Sequence, residues 1–482
     1  MRLSQYADHD GLGLAALIAK GEVSAAEVKA AAFEAIELVN PHVNAVIESW
    51  DDNSAGVQGP FAGVPFLVKD IVGATAGRRN ELGSRIAAGV IAQQDSYLMT
   101  RFRQAGLVTI GRTTTPELGT STTTESIATG PTRNPWDTSR NAGGSSGGSG
   151  AAIAAGIVPL AHATDGGGSI RVPASINGLF GIKPSRGRVS NGPALDEVWS
   201  GLAVQFALSR SVRDSAALLD AVQGAEAGEP YIISPPSRPY LVEAATAPGA
   251  LRIGMIVDPL NGTKTQPAIA AATNEIAALC VNLGHNVEVA TLELGVSWEA
   301  FVHAHAQFWT TSTAGWVEGI AAATGRPIDA STLEPATLAE WRYGRAASAL
   351  DLLGALMTRN TVSRTVAAHF SRFDILLTPT LPELALPIGA YNSPQHGLDG
   401  LGWVSYVFDR SPFTALYNMT GQPAMSVPLG VDPSTGLPIG IQFAAAFGRE
   451  DLLFRLAGQL ETARPWSARK PSVWSGAAAV GT

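Results

Sequence analysis

Three segments of this chain carry side chains that together could transfer an acyl group. One is Gly143-Gly144-Ser145-Ser146-Gly147-Gly148-Ser149, and a second is Asp165-Gly166-Gly167-Gly168-Ser169-Ile170-Arg171. The third is Gly63-Val64-Pro65-Phe66-Leu67-Val68-Lys69-Asp70, ending beyond Lys69. A serine hydroxyl is a weak nucleophile until a base takes its proton. A second hydroxyl can relay that proton, because it both donates and accepts. Consecutive glycines leave their N–H groups open to a developing oxyanion.

Each segment also has a plainer reading. A Gly/Ser run fits a flexible linker. The first run leads into Ala151-Ala152-Ile153-Ala154-Ala155, however, so it also fits a tight turn opening a buried helix. A phosphate-cradling loop would need Lys followed by Ser or Thr after its second glycine, and none is there. The second run also fits a glycine-rich turn after a strand. Asp165 and Arg171 bracket it and could hold its ends by a charge-assisted hydrogen bond. Lys69 is one of six lysines and closes an apolar strand, not a polar face. Burial there would lower its pKa and let it act as a base.

These segments resemble the amidase signature family. The likeness continues in Gly130-Pro131-Thr132-Arg133-Asn134-Pro135-Trp136-Asp137 and in Gly181-Ile182-Lys183-Pro184-Ser185-Arg186-Gly187-Arg188-Val189-Ser190. It returns in Asn418-Met419-Thr420-Gly421-Gln422-Pro423-Ala424-Met425-Ser426-Val427-Pro428, so it covers nearly the whole chain in order. The resemblance implies Ser169 as nucleophile, Ser145 after a cis peptide as bridging serine and Lys69 as general base. It implies an oxyanion segment at Gly166, Gly167 and Gly168 with the Ser169 N–H. Asp165 and Arg171 support the site. Gly166 and His162-Ala163-Thr164 depart from the family pattern without removing a catalytic group, and His162 reads as packing. The implied reaction uses no metal or cofactor, and no CxxC or HExxH pattern is present.

Other serine and glycine patterns are weaker. Gly143-Gly144-Ser145-Ser146-Gly147 fits the G-x-S-x-G elbow, but that reading wants a late histidine, with only His369 or His396 available. Ser467-Ala468-Arg469-Lys470 matches S-x-x-K in a polar tail. Gly11-Leu12-Gly13-Leu14-Ala15-Ala16 imitates a dinucleotide fingerprint with no strand before it.

Positioning these groups needs a large core, and 482 residues supply it. Strands are expected at Ala45–Ser49, Pro65–Lys69, Leu107–Arg112, Leu251–Val257, Asn286–Ala290 and Asp374–Thr378. Helices are expected from the Ser24-Ala25-Ala26-Glu27 capping box to Val39, and at Asp95–Gln104, Asp214–Val222, Pro267–Leu283 and Asp451–Thr462. This alternation implies an α/β fold with a mixed, largely parallel sheet wrapped by helices. The family forms one large domain over 1–482. Within it, 1–60 would be an N-terminal helical segment, 61–222 the signature core, and 223–482 the second half of the core with the substrate-pocket helices.

The net charge of −8 argues against nucleic acid as a partner. The single cysteine, Cys280, excludes an internal disulfide. No apolar run reaches membrane-spanning length. Met1 to Tyr6 turns polar at once, so a cytoplasmic monomer or homodimer is expected. Phe301, Phe308, Trp309, Trp316 and Trp341 read as core more than pocket, although in the family this region and the loop Gly119–Ser126 wall the acyl site. No arginine marks a carboxylate clamp. The expected substrate is therefore a small, uncharged, fairly apolar amide or carbamate, with esters and nylon-type oligomers as neighbours. The alternative is the amidase subunit of a tRNA-dependent amidotransferase, acting with a partner subunit.

Overall fold

Strand Val64–Lys69 is built from the apolar and β-branched residues that suit a sheet interior, and all six of its residues are buried. In this computed structural model, which describes residues 1–52, 58–195 and 197–477, it lies within an eleven-stranded sheet. Leu107–Thr113 pairs with it on one side and Leu160–Asp165 on the other, both parallel. The sheet continues through Val204–Ser209, Phe180–Lys183, Ala424–Val431 and Pro438–Ala445, then Ile375–Pro379, Arg252–Met255 and Asn286–Val289. Val46–Ser49 forms the opposite edge. Helices wrap this sheet, and two short two-stranded ribbons lie between Glu125 and Asn141, which makes one large mixed α/β domain.

The sheet is mixed, as expected, but its parallel pairings are confined to the flanks. Four of the ten neighbouring pairs are parallel; the centre, from Leu160–Asp165 across to Ile375–Pro379, is antiparallel throughout. The six strands expected from sequence all lie in the flanks. The central five are interrupted by small or polar residues, as in Leu-Ala-His-Ala-Thr-Asp of Leu160–Asp165, so no short run of large apolar residues marks them.

Ser24 and Glu27 form the expected capping box, with Glu27 N–H donating to Ser24 Oγ at 3.2 Å. The helix runs on through Pro41 to Val43, past its expected end at Val39. Pro41 falls in the last turn, where its missing N–H removes a single bond, and Asn44 closes the helix in the left-handed conformation. Helix Gly147–Ala154 is wholly buried, as is the Cys280 side chain of helix Pro267–Asn282. A second apolar cluster joins Phe301, Phe308 and Trp309 of helix Trp298–Thr324 to Trp403 and Phe408 of helix Gly400–Arg410. Among the described residues no helix is long and apolar enough to cross a membrane.

Candidate active site

Lys69 ends its strand 1% exposed. Its Nζ lies 2.7 Å from Ser145 Oγ and 2.8 Å from Thr164 Oγ1, hydrogen-bonded to both. Burial holds the amine well below the ordinary lysine range, against the smaller raising effect of Asp165. Asp70 would oppose this if it faced the amine, but it points away. Its carboxylate accepts from Arg112 Nη1 at 2.7 Å and from the N–H groups of Glu81 and Gly83.

The Ser145 loop is clamped on every side. The Gly144–Ser145 peptide is cis. Thr115 Oγ1 donates to the Ser145 carbonyl at 3.1 Å, and Thr124 Oγ1 donates to that of Gly143 at 2.8 Å. A Cβ on Gly148 would stand 2.3 Å from Thr114 Oγ1, so the run is packed and not a linker. Ser146 does not share the Lys69 contact. Its Oγ accepts from Thr164 N–H at 3.2 Å and bridges the helix start to strand Leu160–Asp165.

The Ser169 loop hangs on a buried ion pair. Arg171 Nη2 and Nε donate to Asp165 at 2.8 and 2.9 Å, with neither side chain exposed. Asn418 and Gln442, distant in sequence, accept from the same guanidinium, and Asn418 Nδ2 also donates to Asp165. Burial pushes the Asp165 carboxyl up, but Arg171 above all outweighs it and holds the group down at about 2. Gly168 has φ +136°, a conformation that only glycine adopts readily, and its N–H donates to Asp165 Oδ1 at 2.8 Å. Among the described residues, the N–H groups of Gly166, Gly167 and Ser169 donate to no protein acceptor. The sequence expectation thus narrows from three glycine donors to two, beside that of Ser169.

Ser145, Thr164, Gly166 and Ser169 open onto one narrow cavity. Ile71, Val72, Val198, Trp199 and Trp316 form its apolar wall, and Gly119 lines it from the expected loop. Among the described residues no charged side chain lines it. Trp199 sits at φ +52° and packs on Trp309 with ring centroids 4.3 Å apart. Phe301 and Phe308 are core, as expected, while Trp316 reaches the cavity and Trp309 presses on Gly167. Trp341 is half-buried and bonds to Glu318.

His162 packs edge-on against Phe102, and burial ahead of the Lys69 charge pushes its pKa down to about 3. Neither His369 nor His396 lines the cavity, so the elbow reading has no base. Lys470 of the S-x-x-K match pairs with Asp8 at 3.2 Å over the Trp474 ring, and Gly11 N–H is bonded to Asp214. A larger cleft near Asp10, Arg210 and Trp474 touches none of the acyl-transfer groups. Sequence reasoning missed Thr164, Trp199, Asn191 and Gln205 as cavity residues. Only Thr164 carried a signal, its place beside Asp165.

Comparison with known proteins identifies the family of the chain. The amidase family model matches residues 16–454. The chain is 38% identical over 484 residues to the 6-aminohexanoate-cyclic-dimer hydrolase of Paenarthrobacter ureafaciens, covering 96% of each. A solved structure of 6-aminohexanoate cyclic dimer hydrolase complexed with substrate superposes with a TM-score of 0.92 at 35% identity, over 97% of this chain and 99% of that one. A glutamyl-tRNA(Gln) amidotransferase subunit from Thermotoga maritima is more distant, with a TM-score of 0.72 at 27% identity over 91% of this chain and 92% of that one. The chain belongs to the amidase family and is an amidohydrolase of carbon–nitrogen bonds other than peptide bonds.

Proposed function

We propose that this amidase cleaves the C–N bond of an uncharged, fairly apolar carboxamide through an acyl–Ser169 intermediate. The observation that carries this reading is the buried Lys69 amine, 2.7 Å from the Oγ of Ser145, which lines the same cavity as Ser169. A neutral amine has one lone pair and two hydrogens. It can donate to Thr164 while its lone pair takes the Ser145 proton, and Ser145 in turn takes the proton of Ser169. Ser169 Oγ then attacks the carbonyl carbon. The Gly166, Gly167 and Ser169 N–H groups receive the oxyanion, and each such donor is worth about 10²–10³ in rate. The proton returns to the leaving nitrogen, the C–N bond breaks, and water repeats the cycle on the acyl-enzyme.

Asp165 and Arg171 support the loop and touch no reacting atom in this scheme. Because Asp165 already takes the Gly168 N–H, the third glycine supplies the turn and not a donor. The roles of Lys69, Ser145 and Ser169 are tested by a serine-directed phosphonate with mass-spectrometric mapping. Labelling at Ser169 is expected; labelling at Ser145 or Ser146 would overturn the assignment.

The uncharged, largely apolar lining supports a neutral substrate. Relatives that act on a cyclic amide of 6-aminohexanoate make nylon-type oligomers the first compounds to try, with carbamates and esters next. One panel of amides, esters and carbamates, run on the purified chain alone, ranks these classes. It also separates a free hydrolase from a subunit that works only with a partner, because the latter would leave simple amides intact.

A further inference from the structure

Strand Val204–Ser209 adds a polar group to the cavity that the acyl-transfer scheme leaves idle. Val204–Ser209 pairs antiparallel with Leu160–Asp165, and Gln205 stands opposite Thr164. Side chains alternate along strands, so His162, Thr164 and Gln205 share one sheet face. It is the face from which Thr164 meets Lys69. Gln205 is 2% exposed and lines the cavity beside the two serines.

The orientation of its amide follows from the groups around it. The chain of bonds starts at the carbonyl of Ala203, which can only accept. Asn191 Nδ2 donates to it at 3.4 Å, so Asn191 turns its Oδ1 toward Gln205. Gln205 Nε2 donates to that oxygen at 3.2 Å. Gln205 Oε1 therefore faces His162 Nε2, also at 3.2 Å, and the imidazole must carry its hydrogen there. Its other nitrogen, Nδ1, is buried with no partner among the described residues, which suits the bare nitrogen of a neutral ring. His162 is thus a positioning residue. It fixes which end of the Gln205 amide faces the cavity.

A glutamine amide has two N–H groups, and Asn191 takes one. Among the described residues, nothing in the protein accepts the second. The Thr164 hydroxyl is held by Lys69, and the rest of the wall is mostly apolar. We propose that Gln205 is a specificity residue whose second Nε2–H donates to a second carbonyl on the acyl chain of the substrate, held in place by His162. Gln205 lies opposite Thr164, one residue before the loop from Asp165 that ends at Ser169, and lines the same cavity as Ser169; the proposal assigns it to the acyl side. The substrate class this selects is a diamide, such as an N-acylated ω-amino acid amide. A ligand lacking the second carbonyl leaves a buried donor unpaired and binds its transition state less well. This inference rests on the amidase reading of the same cavity.

The test compares two anilides of equal chain length on the purified full chain, 6-acetamidohexanoyl 4-nitroanilide and nonanoyl 4-nitroanilide. The wild type should favour the first. Gln205→Met keeps the length and removes the donor, and should lower the ratio of kcat/KM between the two anilides about tenfold, mainly through KM. His162→Leu frees the amide to turn and should lower the ratio in the same direction, which keeps the test open if Gln205→Met does not fold. A ratio unchanged in either folded variant, with both substrates slowed alike, would mean a structural role and would overturn the inference while leaving the amidase reading intact. If the wild type turns over neither anilide and phosphonate leaves Ser169 unlabelled, the amidase reading fails and this inference fails with it.

Discussion

Lys69→Met removes the amine and keeps most of the side-chain volume. Lys69 is buried, bonded to two hydroxyls, and among the described residues has no carboxylate in hydrogen-bonding reach. Burial lowers its folded-state pKa, while an unfolded lysine titrates near about 10.4. Between those two values the unfolded chain binds one proton more than the folded chain. Stability must then rise with pH through this window, by about 1.4 kcal/mol per pH unit for one group. The variant lacks that slope. It also loses its bonds to Ser145 and Thr164, at about 1 kcal/mol each, partly offset by releasing a buried polar group. Activity should fall by at least about 10²–10⁴, the worth of a general base. The assay is denaturant unfolding of both proteins at several pH values from 8 to about 9.5, alongside kcat/KM. The stability gap, wild type minus variant, should climb with pH at about 1.4 kcal/mol per unit. Wild-type kcat/KM should rise through one ionisation below the ordinary lysine value and then level. A gap that stays flat would show that Lys69 folds as the ammonium ion, and the proposed base would be lost with it.

Three further outcomes follow from the same contacts. Ser145→Ala should keep its fold and lose about 10²–10⁴ in kcat, whereas Ser146→Ala should lose less activity and about 1 kcal/mol of stability, because its hydroxyl braces Thr164; equal activity of Ser145→Ala and wild type removes the relay. Gly167→Ala would place a Cβ 2.8 Å from Trp309, so it should shift the loop and lower kcat with little change in secondary structure by circular dichroism. His162, lowered to about 3 against an unfolded value near about 6.5, should make the protein lose stability as pH falls through that interval, because the unfolded chain takes the proton first; His162→Leu should flatten this acid limb in a pH series of melting temperatures.

What the sequence revealed depended on where each element lies. The flank strands Val64–Lys69 and Ile375–Pro379 are short apolar runs followed by polar turns or helices, and they were legible. Leu160–Asp165 reads Leu-Ala-His-Ala-Thr-Asp, and Pro438–Ala445 ends in Phe-Ala-Ala. Both kinds of strand are fully buried, but the small residues of these central ones resemble helix formers. The parallel bias was overestimated for that reason. Helix Ala25–Val43 overran its expected end because Pro41 costs little in a last turn.

The groups proposed for acyl transfer stood out because each lies in a short run with its own composition; the groups that shape the cavity did not, because each acts across the fold. Gly167 is pressed by Trp309 and Phe408, and Gly166 by Trp199. None of these aromatics has a local pattern that separates it from core. The same holds for the clamp on Arg171, which needs Asn418 and Gln442 from the far end of the chain. The Gly168 N–H shows the limit most clearly. Three glycines in a row read as three equal donors, yet one carboxylate, Asp165, takes the third and leaves the others open. That division depends on where a neighbouring side chain points. A buried Asp165 bound to Arg171 cannot swing away to release the Gly168 N–H without leaving a charge unpaired in the core, at a cost of about 3–5 kcal/mol. The loop is therefore held in one shape before any substrate arrives, and the two glycine N–H groups without a protein acceptor among the described residues are set by the ion pair behind them.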